Sequence, residues 1–96
     1  MNTRQKMLIL GLGGVGRYLA AQLTDEGHSI TVIEPRSSAI RDAEAEIDAR
    51  LIQGDAMSNS CWIEAGAAKM DCLIAVTNDD AVNILASMIA DRYGIR

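Results

Sequence analysis

Three glycines and one carboxylate have the types and the spacing of a site for phosphate and sugar. Gly11, Gly13 and Gly16 fit the pattern G-x-G-x-x-G, and Glu34 follows eighteen positions after the last glycine. Glycine permits a tight turn, and its missing Cβ lets a pyrophosphate approach the main chain. A carboxylate at this distance accepts hydrogen bonds from ribose hydroxyls. A plain strand-to-helix turn and a solvated strand end would also explain these residues, so their context decides.

Short apolar runs alternate with helical patterns along the chain, which is typical of βα units around a parallel sheet. One such run precedes the glycines, a helical pattern follows them, and Glu34 ends the second run, so the context favours a nucleotide site. The predicted strands are residues 6–10, 29–34, 49–53 and 71–76. The predicted helices are residues 14–24, with Gly27 at the C-terminal stop, then 37–46, 58–65 and 79–93.

These elements predict an α/β fold, a Rossmann-like doubly wound parallel sheet. Right-handed crossovers place the strands in the order 3-2-1-4 and leave one edge of strand 4 open. The pattern ends where a fifth strand would begin, so we expect the fold to be truncated before strands 5 and 6. Residues 1–96 are expected to form a single domain.

The ends of the strands indicate how a dinucleotide would bind. The N–H groups and dipole of a helix beginning near Gly14 can hold a pyrophosphate without a lysine. Glu34 favours NAD over NADP because it would repel a 2′-phosphate, although Arg36 can pair with a phosphate. Asp55 follows strand 3 and can bond adenine, but it is equally well a loop residue. Thr77 follows strand 4 and is also the predicted N-cap of the last helix.

Five segments in order, LILGLGGVGRYLAAQL, ITVIE, LIQGDA, IEAGA and DCLIAVTNDD, resemble the TrkA-N, or RCK N-terminal, domain of potassium transport regulators. The resemblance covers residues 7–93. It implies a cytoplasmic module that binds NAD or NADH, or ADP or ATP in some members. Gly14 stands where ATP-binding members often carry a basic residue, which weighs against a triphosphate. The expected cofactor-binding residues are Gly11, Gly13, Gly14, Val15, Gly16, Glu34, Arg36, Asp55, Ala56, Thr77 and Asn78.

The resemblance also implies that nucleotide occupancy is passed to a membrane potassium channel or transporter subunit, at the inner membrane. The last predicted helix is apolar around most of its circumference, so we expect a homodimer or higher oligomer through this helix. The net charge of −4, without a basic run, argues against nucleic acid, and no segment is long enough to insert into a membrane.

Catalysis and metal binding have little support in the sequence. Hydride transfer needs an acid or base near the nicotinamide, and the single histidine, His28, is predicted at the wrong end of strand 2. Two cysteines and one histidine give no zinc ligand set. The alternative function is the cofactor domain of an NAD-dependent oxidoreductase whose catalytic part is absent, and a third is a structural remnant without a ligand.

Overall fold

A four-stranded parallel sheet forms the centre of the molecule in a computed structural model that describes residues 3–95. The strands are β1 (Lys6–Leu10), β2 (Ser29–Glu34), β3 (Arg50–Gln53) and β4 (Cys72–Ala75), in the order β3-β2-β1-β4. In the register, Leu10 lies beside Ile33 of β2 and beside Ala75 of β4. The predicted fold class and strand order are therefore confirmed.

The helices are α1 (Gly14–Asp25), α2 (Ser37–Glu44), α3 (Asn59–Ala65) and α4 (Asp80–Arg92), with a short 3-10 turn at Ala67–Lys69. Successive apolar side chains of a strand point to opposite faces of the sheet, so each face has its own core. The core on one face joins β1 and β2 to α1 and α2, with Met7, Ile9, Val32, Ala20 and Ile40. The core on the other face joins the sheet to α3 and α4, with Leu8, Leu10, Ile33, Trp62 and Ala86.

The ends of two helices bear on the predictions. Gly27, with φ of +94°, stands just beyond α1 as predicted, and its N–H donates to the Thr24 carbonyl at 3.0 Å. The prediction of Thr77 as the N-cap of α4 is wrong. Asp79 is the N-cap, because its carboxylate accepts the N–H groups of Ala81 at 2.9 Å and Val82 at 3.2 Å.

The strand β4 pairs with β1 alone among the described residues, and its other edge carries no strand. All four of its residues are half-buried, whereas β1 is buried from Met7 to Leu10. Three large apolar side chains of α4 are also exposed to solvent: Ile84, Leu85 and Met88. Within residues 3–95, none of the helices is long and apolar enough to span a bilayer.

Candidate functional site

The turn after β1 is built around Gly11. Its φ of +102° lies in the left-handed region, which side chains with a Cβ rarely adopt. A Cβ at this position would also lie 3.1 Å from the Val76 carbonyl oxygen. The Gly11 N–H donates to the carbonyl of Ile33 at 3.0 Å, which fixes the turn against the end of β2. The glycine is therefore required both by the backbone conformation and by the space available.

The helix α1 begins directly behind this turn, with Gly13 as its N-cap. A Cβ on Gly16 would overlap the Gly11 carbonyl oxygen, so only glycine allows the helix to lie this close to the turn. Among residues 3–95 no side chain caps the helix, its first turn carries no acidic residue, and its first bond runs from Arg17 N–H to the Gly13 carbonyl. The N–H groups of the first turn therefore make no hydrogen bonds within the helix, and the helix dipole makes this end electropositive.

Glu34 ends β2 and turns its carboxylate towards the glycine turn. The side chain is 3 % exposed, and its Oε1 accepts the Leu12 N–H at 2.7 Å. Its Oε2 accepts the backbone N–H of Arg36 at 2.7 Å and the Arg36 Nε–H at 3.0 Å. Burial acts to raise the pKa of Glu34, but the hydrogen bonds from Arg36 and Leu12 and the charge of Arg36 outweigh it, so the pKa is lowered. Glu34 is therefore an anion in the folded protein at neutral pH.

A cleft of about 290 Å³ opens at the carboxyl ends of the strands. Ligands of open α/β sheets bind at this edge, where the loops after neighbouring strands meet. Eight of the eleven residues predicted from the sequence line the cleft: Gly11, Gly13, Glu34, Arg36, Asp55, Ala56, Thr77 and Asn78.

The other three predicted residues, Gly14, Val15 and Gly16, lie in the first turn of α1 and do not line the cleft. Gly16 is buried against the glycine turn, and Val15 is exposed. Any contact from this turn to a ligand would come from backbone N–H groups, whereas Gly16 has a packing role.

Opposite the glycines, the loops after β3 and β4 supply the rest of the cleft wall. Asp55 Oδ1 accepts the Met57 N–H at 2.8 Å, whereas its Oδ2 has no hydrogen-bond partner among residues 3–95. A Cβ built on Gly13 would meet only the Asn78 Oδ1, at 4.0 Å. Gly13 and Asn78 thus lie close to each other in the cleft wall, and the missing side chain of Gly13 leaves its main chain accessible from the cleft.

Asn83 supports the site from outside the cleft, and this role was not predicted from the sequence. Its Oδ1 accepts the Thr77 N–H at 3.0 Å and the Thr77 hydroxyl at 2.7 Å, and its Nδ2 donates to the Thr77 carbonyl at 3.1 Å. The side chain therefore ties the loop after β4 to the second turn of α4. A polar residue within a largely apolar helix was the signal in the sequence, but its partner depends on how the loop folds back.

A second and wider cleft, of about 760 Å³, lies at the amino ends of the strands. It contains none of the predicted site residues and is lined by charged side chains that include Arg4, Lys6, Arg50 and Lys69. His28 belongs to this cleft, and its Nδ1 accepts the Gln5 N–H at 3.0 Å. The histidine therefore lies at the opposite end of the sheet from the glycine turn.

The strand order and the glycine turn define the class of the protein, a Rossmann-type nucleotide-binding fold. The fold is shared with the solved structure of SirC, a precorrin-2 dehydrogenase, at a TM-score of 0.65 and 24 % identity over 88 % of this chain and 40 % of that chain. A likeness at this level of identity concerns the fold alone.

Residues 7–94 match the family model of the TrkA-N domain, and the chain belongs to this family. It is 38 % identical over 85 residues to the Trk system potassium uptake protein TrkA of Vibrio alginolyticus, covering 88 % of this chain and 19 % of that protein. It is 33 % identical over 89 residues to a TrkA homolog of Methanothermobacter thermautotrophicus, covering 93 % of this chain and 41 % of that protein. The chain thus spans less than half the length of these relatives.

Proposed function

We propose that this chain is a cytoplasmic regulatory domain of a potassium uptake or efflux system, and that it binds NAD or NADH in the cleft beside Gly13. Membership of the TrkA-N family and the names of the potassium uptake relatives support the role in transport. The main support for nucleotide binding is the cleft itself, which brings together the glycine turn and the carboxylate at the end of β2.

The charges around the cleft match the two ends of an adenine nucleotide. At one end, the start of α1 and the bare main chain of Gly13, which lines the cleft, suit a diphosphate. At the other, Glu34 and Asp55 provide carboxylate oxygens, which accept hydrogen bonds from ribose hydroxyls and from the adenine amino group. Three carboxylates and a single arginine, Arg36, line the cleft, which disfavours a triphosphate relative to a diphosphate.

The alternative, the cofactor domain of an NAD-dependent oxidoreductase, has less support. Among residues 3–95, neither a histidine nor a lysine lines the cleft, and His28 belongs to the opposite edge of the sheet. A hydride transfer site would need such an acid or base beside the nicotinamide. A regulatory binding domain needs none, so the cleft favours that function.

The exposed apolar side chains of α4 support a protein partner for this helix. Ile84 is 64 % exposed and Met88 62 % exposed, one helical turn apart, with Leu85 beside them. Exposed apolar patches of this kind favour protein contacts. We propose that this face forms a homodimer or higher oligomer, or contacts the membrane transport subunit.

Calorimetric titration with NAD, NADH, ADP and ATP tests the ligand. A nucleotide at a hundred times its dissociation constant should stabilise the protein by about 2.7 kcal/mol, which a melting curve detects. Gly13→Val should weaken binding because Gly13 lines the cleft and the added side chain would enter it. Valine is a poorer N-cap residue than glycine, so a loss of about 1 kcal/mol in stability is expected and is measured without nucleotide. Melting curves unchanged by all four nucleotides would refute the proposal.

A further inference from the structure

The hydrogen-bonding positions of the Glu34 carboxylate are filled by donors of the protein itself. Oε1 accepts the Leu12 N–H and lies 3.4 Å from Arg36 Nη2, and Oε2 accepts both the backbone N–H and the Nε–H of Arg36. A carboxylate offers about four acceptor positions, two on each oxygen. Ribose hydroxyls can therefore bond this carboxylate fully only after one of the donors leaves.

Only the Arg36 side chain is free to leave. The Leu12 and Arg36 N–H groups belong to the backbone around the glycine turn and the end of β2, and Leu12 is buried. The Arg36 side chain is 56 % exposed, and all its hydrogen bonds go to Glu34 among the described residues. Solvent around the half-exposed Arg36 guanidinium screens its ion pair with the buried Glu34, and exposed side chains change rotamer within nanoseconds.

We propose that the Arg36 side chain is a latch that occupies the ribose positions of Glu34 and must move into solvent when a nucleotide binds. This inference rests on the proposed function, since it concerns the same cleft. The ligand class is a nucleotide with a free ribose 2′-hydroxyl. Arg36 thereby sets the affinity of the site by competing with the sugar for one carboxylate.

A phosphate contact is the competing role for Arg36, and it predicts the opposite effect of removing the side chain. If the guanidinium binds the ligand's phosphates, Arg36→Ala weakens the binding of every phosphate ligand. If the guanidinium competes with ribose, Arg36→Ala strengthens the binding of ribose-bearing ligands but does not strengthen the binding of pyrophosphate. The latch therefore predicts that Arg36→Ala raises the affinity and that this increase depends on the ribose of the ligand.

The experiment is calorimetric titration of the wild type, Arg36→Ala and Arg41→Ala with ADP, 2′-deoxy-ADP and pyrophosphate. Arg41 is an exposed arginine of α2 that does not line the cleft, so its variant controls for the loss of one positive charge. Relative to Arg41→Ala, we expect Arg36→Ala to bind ADP about two- to fivefold tighter, the range that an exposed ion pair allows. The gain should be smaller for 2′-deoxy-ADP and absent for pyrophosphate.

Other outcomes separate the latch from the proposed function. If the wild type binds ADP and Arg36→Ala binds it no more tightly than Arg41→Ala, the latch is refuted and nucleotide binding stands. Equal weakening for ADP and pyrophosphate would make Arg36 a phosphate contact, which also overturns the latch. If NAD, NADH, ADP and ATP all fail to bind the wild type, both proposals fail.

Discussion

Replacing Glu34 with glutamine tests whether a buried carboxylate holds the glycine turn. The amide keeps one acceptor oxygen but places an NH₂ group against a backbone N–H, either of Leu12 or of Arg36, each now 2.7 Å from an oxygen. Hydrogen bonds to a charged group contribute about 1.5–3 kcal/mol, against about 1 kcal/mol for neutral pairs. The bond that meets the NH₂ group is lost and the other falls from the charged to the neutral value, so the expected loss is about 2–5 kcal/mol. Because the Arg36 side chain is 56 % exposed, its ion pair adds little to this value.

Urea unfolding near neutral pH measures the loss directly, and a thermal melt should show a fall of about 4–8 °C for each kcal/mol in a domain of this size. Glu44→Gln is the matched control, because Glu44 is exposed and makes no side-chain hydrogen bond among the described residues. If Glu34→Gln and Glu44→Gln unfold at the same urea concentration, the carboxylate does not hold the turn.

The same variant carries a pH signature whose sign follows from the lowered pKa of Glu34. A group with a lowered folded pKa stabilises the protein fully above its unfolded value, here 4.5, and this stabilisation is lost as the pH falls through the folded pKa. The difference in the free energy of unfolding between the wild type and Glu34→Gln should therefore be largest near neutral pH. It should become smaller in acid, below about pH 4.5. A gap that is constant from neutral to acid pH would contradict the assignment of a stabilising anion.

Four further substitutions, each measured by thermal unfolding, test how the cleft is built. Gly16→Ala should cost about 1–3 kcal/mol because its methyl group overlaps a carbonyl oxygen of the turn, whereas Gly14→Ala, in open space, should be neutral or up to about 1 kcal/mol stabilising. Equal melting temperatures for the two would refute the packing argument. Asp79→Ala removes the cap of α4 and should cost about 1 kcal/mol. Asn83→Ala should cost about 1–3 kcal/mol and speed hydrogen exchange of the Thr77 amide, and an unchanged exchange rate would contradict its role.

The strand order and the position of the cleft could be predicted because they follow from local patterns and general rules of topology. Each strand is a short apolar run, so its approximate bounds are visible in the sequence, and right-handed crossovers fix the order once the helices are assigned. Gly11 directly follows β1 and Glu34 ends the neighbouring strand β2, and parallel strands bring their carboxyl ends to the same edge. That edge is where the cleft lies.

The details that escaped prediction depend on side chains that fold back across a loop. Thr77 and Asp79 are both good N-cap residues by type, and the choice between them depends on where the loop after β4 turns into the helix. Asn83 bonds a residue six positions earlier, which no helical periodicity reveals. Likewise, the sequence places Arg36 two positions after Glu34 but does not state that the two side chains pair.

The turn between β4 and α4 lines the cleft and is also tied to the helix that carries the exposed apolar face. Through this connection, a nucleotide in the cleft would affect a partner bound to that face. Thr77 and Asn78 line the cleft, and Asn83 ties Thr77 to the second turn of α4. The exposed apolar face of that helix begins at the next residue, Ile84. A ligand shifts α4 between two positions only if the protein binds that ligand with a different affinity in each position. Nucleotides that differ at the end nearest Asn78 should therefore differ in their effect on this face, whereas changes at the end nearest Glu34 should alter affinity alone.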